Sequence, residues 1–599
     1  MGAENEPLLV VYQKGESQPH MGDFDTSGIH DSAQEIYRAA AEARRLRRRR
    51  KIRRAHHFFC TLLIVTIAFY THGFGLPALF SKVFRHHSYN GSGDFVGLGS
   101  TPLDGPLELP DDSFCSSQGT PHTYPVSSYP LTFDGEHSLT IRQNTTRHLA
   151  PPYDPPRDDD DDHRWRHVRV SGEVVVRQVV DGKEPSVEVE ALSNDDRIRT
   201  TYVFGESGQH LNVIVDDRIW VEKGEWRGGR LAACLVVRVT VWVPDAAASA
   251  SAAKDKAKDK DKEVHLQTLH IGAVHLGVQL IDNLDLIVDE SARLSSVVGS
   301  IVASRALPGD HAETSSVGVA EAKNCHEVIT ESIAFAAGYR FEAPKTSAAS
   351  TSGPIRGPWS LLDSLHLQTV SGSINVAVRP EGTADEHKEL AHLSVESVSG
   401  SIGLQEVTKE GVEESVVPRP HHLTVSTRSG TAHGIASFAR SARLHTISGN
   451  IAFALAPQRL AENVQGDDGG DEYTAALLDT DTISGKTVVY LLNETSSNTA
   501  IDFLESTHHT VSGAVELHYP ASWVGDIHLK TVAGGALVVE GKGVHVVPDN
   551  KPKWPPKVGR KVDAFKEGTR DEDRGNAEDH RSTLNADTVS GRVRLSFPE

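Results

Sequence analysis

Thirty-one histidines and 81 carboxylates are the residues with which this 599-residue chain could do chemistry. Acid–base or metal work needs them to converge at fixed spacings. Histidine pairs stand at His56-His57, His86-His87, His421-His422 and His508-His509. Neighbours in a strand point to opposite faces, so such a pair is a poor chelate by itself. The five-aspartate run Asp158–Asp162 lacks the spaced oxygens and turn of a calcium loop and reads as a solvated spacer. The four cysteines, Cys60, Cys115, Cys234 and Cys325, form no CxxC pair. P-loop, GxGxxG-after-strand, GxSxG and HExxH patterns are all missing. Hence no catalytic residue, cofactor site or metal site is expected. A formal net charge of −20 argues against a nucleic-acid binder.

What organises the chain is a repeat: an alternating strand, then Thr/Ser-x-Ser-Gly, then a second alternating strand. SLHLQTVSGSINVAV (364–378) is the clearest copy and TVSGRVRLSF (588–597) the last. The turn glycines are Gly299, Gly372, Gly400, Gly430, Gly449, Gly485, Gly513, Gly534 and Gly591. The first gap, 73 residues, is the longest, and the shortest is 19. Nine degenerate copies in one chain signal a repeat architecture. Within a copy, Leu365, Leu367 and Thr369 share one face with Ile374, Val376 and Val378 across the turn, while His366, Gln368 and Val370 point the other way. Glycine in the turn permits positive φ, and the serine can bond the local backbone. RHVRVSGEVVVRQVV (166–180) reads as a tenth copy turning at Ser171-Gly172, and Trp220 and Trp242 in the strands that follow read as core.

Two all-β architectures satisfy the pattern. In a β-solenoid each copy stacks on the next, with Gly372 near Gly400. In stacked hairpins or a sandwich, Ser-Gly is a two-residue loop and Thr369 faces Ile374. A similar corner in every unit favours the solenoid. The iterated T-[VI]-S-G-x-[IV] units resemble the adhesin-like family of microbial surface proteins, a domain of unknown function built as a β-helix. The likeness spans roughly residues 264–597. It implies a β-helix fold and an adhesive role, and it brings no catalytic residue with it.

The remaining segments place the repeat. Phe58–Phe80 holds no charged residue over 23 positions, enough for a helix to cross a bilayer. Nine of the eleven residues Arg44–Arg54 are basic, which predicts a cytosolic N-terminus and a lumenal or extracellular remainder. The sequons at Asn90, Asn144 and Asn493 all fall on that outer side. Of the three outer cysteines, one disulfide and one free thiol are expected, with the pairing open. Glu4-Asn5-Glu6-Pro7-Leu8-Leu9 resembles an acidic dileucine signal, in which Glu4, Leu8 and Leu9 would meet a clathrin adaptor.

The organisation read from the sequence is therefore a cytosolic tail (1–57, disordered and then a basic helix), a transmembrane helix (58–80) and a disordered stalk (81–165). A leading β unit (166–245), a low-complexity linker (246–263) and the β-repeat domain with inserted loops (264–599) follow. The expected role is non-catalytic display in the secretory pathway, at the cell surface or in a vacuole or endosome: adhesion, wall or matrix contact, or scaffolding, with a polysaccharide or protein ligand. Two alternatives are a membrane-tethered carbohydrate-active enzyme on a parallel β-helix, and an endosomal or vacuolar protein sorted by Leu8-Leu9.

Overall fold

A computed structural model of the chain places its described residues in one compact unit, Leu98–Glu599. It describes residues 105–110, 115, 121–146, 163–179, 183–205, 208–222, 233–245, 264–281, 283–305, 339–381, 390–407, 419–458, 475–493, 504–533, 535–547, 559–567 and 582–598. The apolar segment 58–80, the dileucine residues Glu4, Leu8 and Leu9, Asn90, Gly534 and Cys325 lie outside them. Among the described residues no helix is long and apolar enough to cross a membrane. Their regular elements are strands, gathered in two seventeen-stranded sheets.

Pairing decides between the two architectures. Ser364–Thr369 runs parallel to Lys345–Ser350 on one side and to Ala391–Ser397 on the other. Past the corner, Ile374–Pro380 runs parallel to Ile355–Leu361 and to Ile402–Glu406 in the second sheet. The two strands of one copy therefore belong to different sheets and bond to neighbouring copies, not to each other. This is a β-solenoid, and it removes the hairpin and its Thr369–Ile374 pairing. The reason is burial. An isolated two-stranded hairpin cannot cover its own apolar face, whereas a stack shares one interior. Leu365, Leu367, Thr369, Ile374, Val376 and Val378 are all buried, and one continuous core joins Leu131 to Phe597.

The corner glycines form a ladder. A Cβ on Gly400 would sit 1.7 Å from the Gly372 carbonyl oxygen, one on Gly430 1.9 Å from that of Gly400, and one on Gly513 1.8 Å from that of Gly485. Glycine is required because the neighbouring rung's backbone occupies the space of a side chain. That differs from the turn-conformation reason: Gly372, Gly400, Gly430, Gly449 and Gly591 do not have positive φ. Gly353, in Thr351-Ser352-Gly353, stacks between Gly299 and Gly372, its own Cβ position 2.0 Å from the Gly299 oxygen. It is a further copy inside the 73-residue gap, concealed because its first strand, Lys345–Ser350, is built of small residues rather than Leu and Val. At the far end Gly535 stacks on Gly591, 1.3 Å from Cβ position to oxygen.

Hydroxyls staple the same edge. The Gly400 N–H donates to Ser397 Oγ at 2.9 Å and the Gly430 N–H to Thr427 Oγ1 at 3.1 Å. Each hydroxyl in turn donates to the preceding corner: Ser397 to the Gly372 oxygen and Thr427 to the Gly400 oxygen, both at 3.5 Å. One buried oxygen thus satisfies a backbone donor and a backbone acceptor that the bend withdraws from the strand ladder.

Stack order departs from chain order at both ends. The last copy, Ser582–Ser590 and Val593–Ser596, is inserted between Leu504–Ser512 with Val515–His518 and Gly525–Thr531 with Leu537–Glu540. Antiparallel Arg560–Lys566 and Val544–Val547 close that end of the first sheet. At the other end Leu139–Thr146 lies between His210–Asp216 and His265–Ala273. The stalk reading fails over this part of 81–165, and the segment 166–245 is continuous with the repeat rather than a separate leading unit. Pro, Gly and Asp around residues 105–165 mask the alternation of a single buried strand. Antiparallel Thr200–Gly205 closes the first sheet here. Antiparallel terminal strands end the parallel ladder and so limit edge-to-edge growth.

Ser171-Gly172 is not a corner. His163–Gln178 is one strand, and Gly172, at φ +131°, gives way to Val237, whose carbonyl oxygen lies 1.8 Å from its Cβ position. Cys115 is bonded to Cys234 across 119 residues, with the Cα atoms 5.7 Å apart.

Candidate functional site

Because the interior repeats, only the outward positions distinguish one rung from another. Three outward surfaces carry side chains able to bind.

The first is the corner edge. The residue after each inward Thr or Ser points out: Val297, Val370, Val398, Ile447, Ile483, Val511, Val589 and Val532, each 36–45% exposed. Thr351 and Arg428 hold the same place in two rungs. The following serines are engaged with the preceding rung, Ser371 Oγ donating to the Thr351 oxygen at 3.2 Å and Ser399 Oγ to the Val370 oxygen at 3.1 Å. Hydroxyl and aliphatic rows therefore run side by side along the edge.

The second is the outer face of the sheet that leads into the corners. Strand register aligns Gln368, Glu396, Ser426, His445, Asp481, His509, Asp587 and Lys530 in one column. Over its last five members the column alternates imidazole, carboxylate, imidazole, carboxylate, ammonium. His445 Nδ1 lies 3.4 Å from Asp481 Oδ2, and His509 Nδ1 lies 3.0 Å from Asp587 Oδ2. Two residues back along the strands, Arg443 pairs in register with Asp479. Burial first, and then the Asp481 charge, raise the Asp479 carboxyl above its usual range, against the pull of Arg443 and His445. His528 Nδ1 sits 2.9 Å from Asp563 Oδ1 on the next rungs. Burial opposes ionisation of Asp563, but the His528 and Lys561 hydrogen bonds outweigh it and lower its pKa. Among the described residues no group of three or more His, Cys, Asp or Glu is set to hold a metal ion.

The third is the outer face of the other sheet. His518 stacks on Tyr490 with ring centroids 4.4 Å apart, and burial lowers its pKa. Near the N-terminal end Trp242 is half-buried rather than core. Its Nε1 donates to Glu188 at 2.7 Å, and Lys183 Nζ sits 3.6 Å from its ring centroid. It points outward because Val241 and Val243 take the two inward places beside it. The Trp220 side chain lies outside the described residues.

The histidine pairs behave as strand geometry requires. His509 faces out, and His508 faces in, wholly buried. His508 Nδ1 is 2.8 Å from Thr480 Oγ1 and Nε2 is 2.9 Å from the Tyr519 hydroxyl. A neutral imidazole has one donor and one acceptor nitrogen, so two hydroxyls satisfy it. Burial pushes its pKa down to about 3 and raises that of Tyr519. His421 is likewise buried while His422 stacks on His392 outside, centroids 4.8 Å apart.

Of the sequon asparagines, Asn144 is exposed on Leu139–Thr146, and exposed Asn493 accepts a bond from Ser522 Oγ at 2.5 Å. The turn glycines are brought together as the ladder. The charged column was missed in the sequence, because neighbouring members are 19 to 78 residues apart and only the register brings them together. The one legible sign was that outward positions such as Glu396, Lys530 and Asp587 vary over a constant interior.

No family model matches the chain, and no curated protein matches it in sequence. One solved structure is similar in part: a "putative cell adhesion protein" of Clostridium sporogenes, at 6% identity, covering 80% of this chain and 100% of that one. The TM-score of 0.11 is too low for the likeness to carry an argument.

Proposed function

We propose that the chain is a membrane-anchored display protein whose solenoid binds an extended polysaccharide or protein ligand without catalysis, in adhesion, in wall or matrix contact, or as a scaffold. The observation that carries this reading is the column His445–Asp481–His509–Asp587–Lys530 on the outer face of the first sheet. It repeats donors and acceptors at the strand spacing of about 4.8 Å, which suits a ligand with a repeating backbone. Anchoring rests on the apolar segment 58–80 and the arginines before it. The Cys115–Cys234 bond and the exposed Asn144 and Asn493 fit a lumenal or extracellular setting, where disulfides persist.

The test is a glycan and matrix-protein array probed with the full-length chain and with a His445→Ala/His509→Ala/Lys530→Ala variant. Binding by the wild type and a loss of tenfold or more in the variant are expected. An array with no ligand, or a ligand bound equally by both proteins, overturns the reading. Protease protection in sealed vesicles tests the anchor: digestion of the C-terminal region from the cytosolic side would remove the proposed orientation.

A further inference from the structure

The outer face of the first sheet changes character along the stack. Toward its N-terminal end, register sets His210, Thr140, His270, Arg293, Ser347 and His366 in one column over six successive rungs. Beside it, Arg142 and Ser295 flank Gly272 in register, and Lys345 stands two residues back from Ser347. Arg142, His210, Arg293 and Lys345 are exposed. No Asp or Glu stands among these positions, in a chain of formal net charge −20. The nearby carboxylates lie toward the return edge and are engaged there, Asp285 with Arg340, Asp289 with His265 and Glu290 with Gln267. Among the described residues, the side chains of Arg142, Arg293 and His270 make no ion pair or hydrogen bond.

The centre of this patch is a notch. Gly272 leaves its outward place empty, and a Cβ there would stand 3.5 Å from Ser295 Oγ and 3.8 Å from His270 Nε2, with no closer atom. Burial first, and then the charges of Arg142, Arg293 and His210, lower the His270 pKa. The three charges act with one sign, so the notch lies in an uncompensated positive field.

We propose that this face binds an anionic polysaccharide, with one carboxylate or sulfate group seated over Gly272 and the rest of the chain running along the column. Arg142 and Arg293 reach the notch from the rungs on either side of it, two strand spacings or about 10 Å apart. Guanidinium forks pair with carboxylates and similar oxyanions, and His270 Nε2 supplies a third donor. Thr140, Ser347 and Ala349 are small, so the cations and imidazoles border a track along the stack that suits an extended chain. A nucleic-acid strand calls for aromatic platforms, and the columns hold no Phe, Tyr or Trp. An anionic bilayer is held by clusters of roughly four to eight Lys or Arg, more than the three present here. The surface is separate from the column His445–Lys530, in which carboxylates alternate with bases.

The test follows acetylation of Lys345 by mass spectrometry in the full-length chain, kept in a mild detergent because of segment 58–80. The probes are a heparin oligosaccharide, an oligogalacturonate and neutral dextran. Reading one lysine of the patch excludes binding to the basic run Arg44–Arg54. Asn144, two residues beyond Arg142, borders the patch, so Asn144→Gln is run beside the wild type to remove any glycan there. Either anionic glycan should slow acetylation of Lys345 at least tenfold at saturation, with dextran inert and Lys530 unaffected. Arg142→Ala/Arg293→Ala should raise the concentration for half protection at least tenfold. Gly272→Glu, which fills the notch with a carboxylate where the added carbons meet open space, should do the same with the β-sheet circular dichroism unchanged. No protection in either chain, equal protection of Lys345 and Lys530, or protection unmoved by both variants overturns the proposal. Protection by phosphatidylserine vesicles or an oligonucleotide but by neither glycan also overturns it, giving the surface to another partner. The His445→Ala/His509→Ala/Lys530→Ala variant should protect Lys345 as the wild type does, so this proposal and the reading of the alternating column fail separately.

Discussion

The two edges of the solenoid follow opposite rules. At the corner edge the copies keep the same bend, with a glycine pressed against its neighbour, and in the rungs from Ser296 to Thr427 a buried hydroxyl bridges two backbones. At the return edge the connection can be residues 439–440, between Phe438 and Ser441, or as long as 306–339, between Arg305 and Arg340. The contrast is one of contact. Corner atoms touch equivalent atoms in the rungs above and below, so a change in one rung propagates. A return loop owes the stack only its two ends, and loop closure costs little more as a loop lengthens.

Of single substitutions, one at a corner glycine should have the largest effect. Gly400→Ala places a carbon 1.7 Å from the Gly372 oxygen, and the rungs must part. A loss on the order of 4 kcal/mol in chemical denaturation is expected. A loss below about 1 kcal/mol would mean that the corners are not stacked as described.

Acid should come next, acting on the interior between the edges. His508 has a pKa of about 3 in the folded chain against an ordinary value of 6.5. Between those values the unfolded chain binds a proton that the folded chain refuses. The contribution is therefore whole above pH 6.5 and falls away as the pH drops toward 3. By pH 4.5 roughly 2–3 kcal/mol should be gone, seen as a falling midpoint in denaturant. His508→Phe should flatten that part of the profile. A profile unchanged by the substitution would place the acid sensitivity elsewhere.

A smaller effect separates one corner from another. Thr427 satisfies both the Gly430 N–H and the Gly400 oxygen, so Thr427→Val should cost about 1–3 kcal/mol. Thr446, at the equivalent place, has no hydrogen-bond partner for its hydroxyl, so Thr446→Val should be close to neutral or stabilising. Equal losses at the two sites would show that the hydroxyl ladder is not what distinguishes them.

The smallest effect belongs to the return edge. Four residues inserted between Gly469 and Gly470 should shift stability by a few tenths of a kcal/mol. The same four between Gly449 and Asn450 should prevent folding. Comparable thermal midpoints for the two insertions would abolish the contrast between the edges.

How much of this was legible in the sequence varies by residue. Leu365, Leu367, Ile374 and Val376 announce their burial by period two, and the glycines of Thr-x-Ser-Gly announce where the chain bends. Ser171-Gly172 looked the same and is not a bend, since a glycine beside Val237 answers to close approach in mid-strand as readily as to a corner. Gly353 was hidden because Ala348 and Ser350 fill its inward places, and small residues give no hydrophobic signal.

The sequence by itself determined an all-β repeat, the inward and outward assignment of its strands, and the place of most corners. These are local matters, set by side-chain alternation and by which residues tolerate a bend. Only the tertiary structure decided that copies pair side by side rather than as hairpins, and that Ser582–Ser590 is inserted between two earlier strands. It also brought together His509 and Asp587, and joined Cys115 to Cys234. Each of these depends on which distant backbone lies 4.8 Å or so away, a relation that register sets and that sequence spacing does not encode.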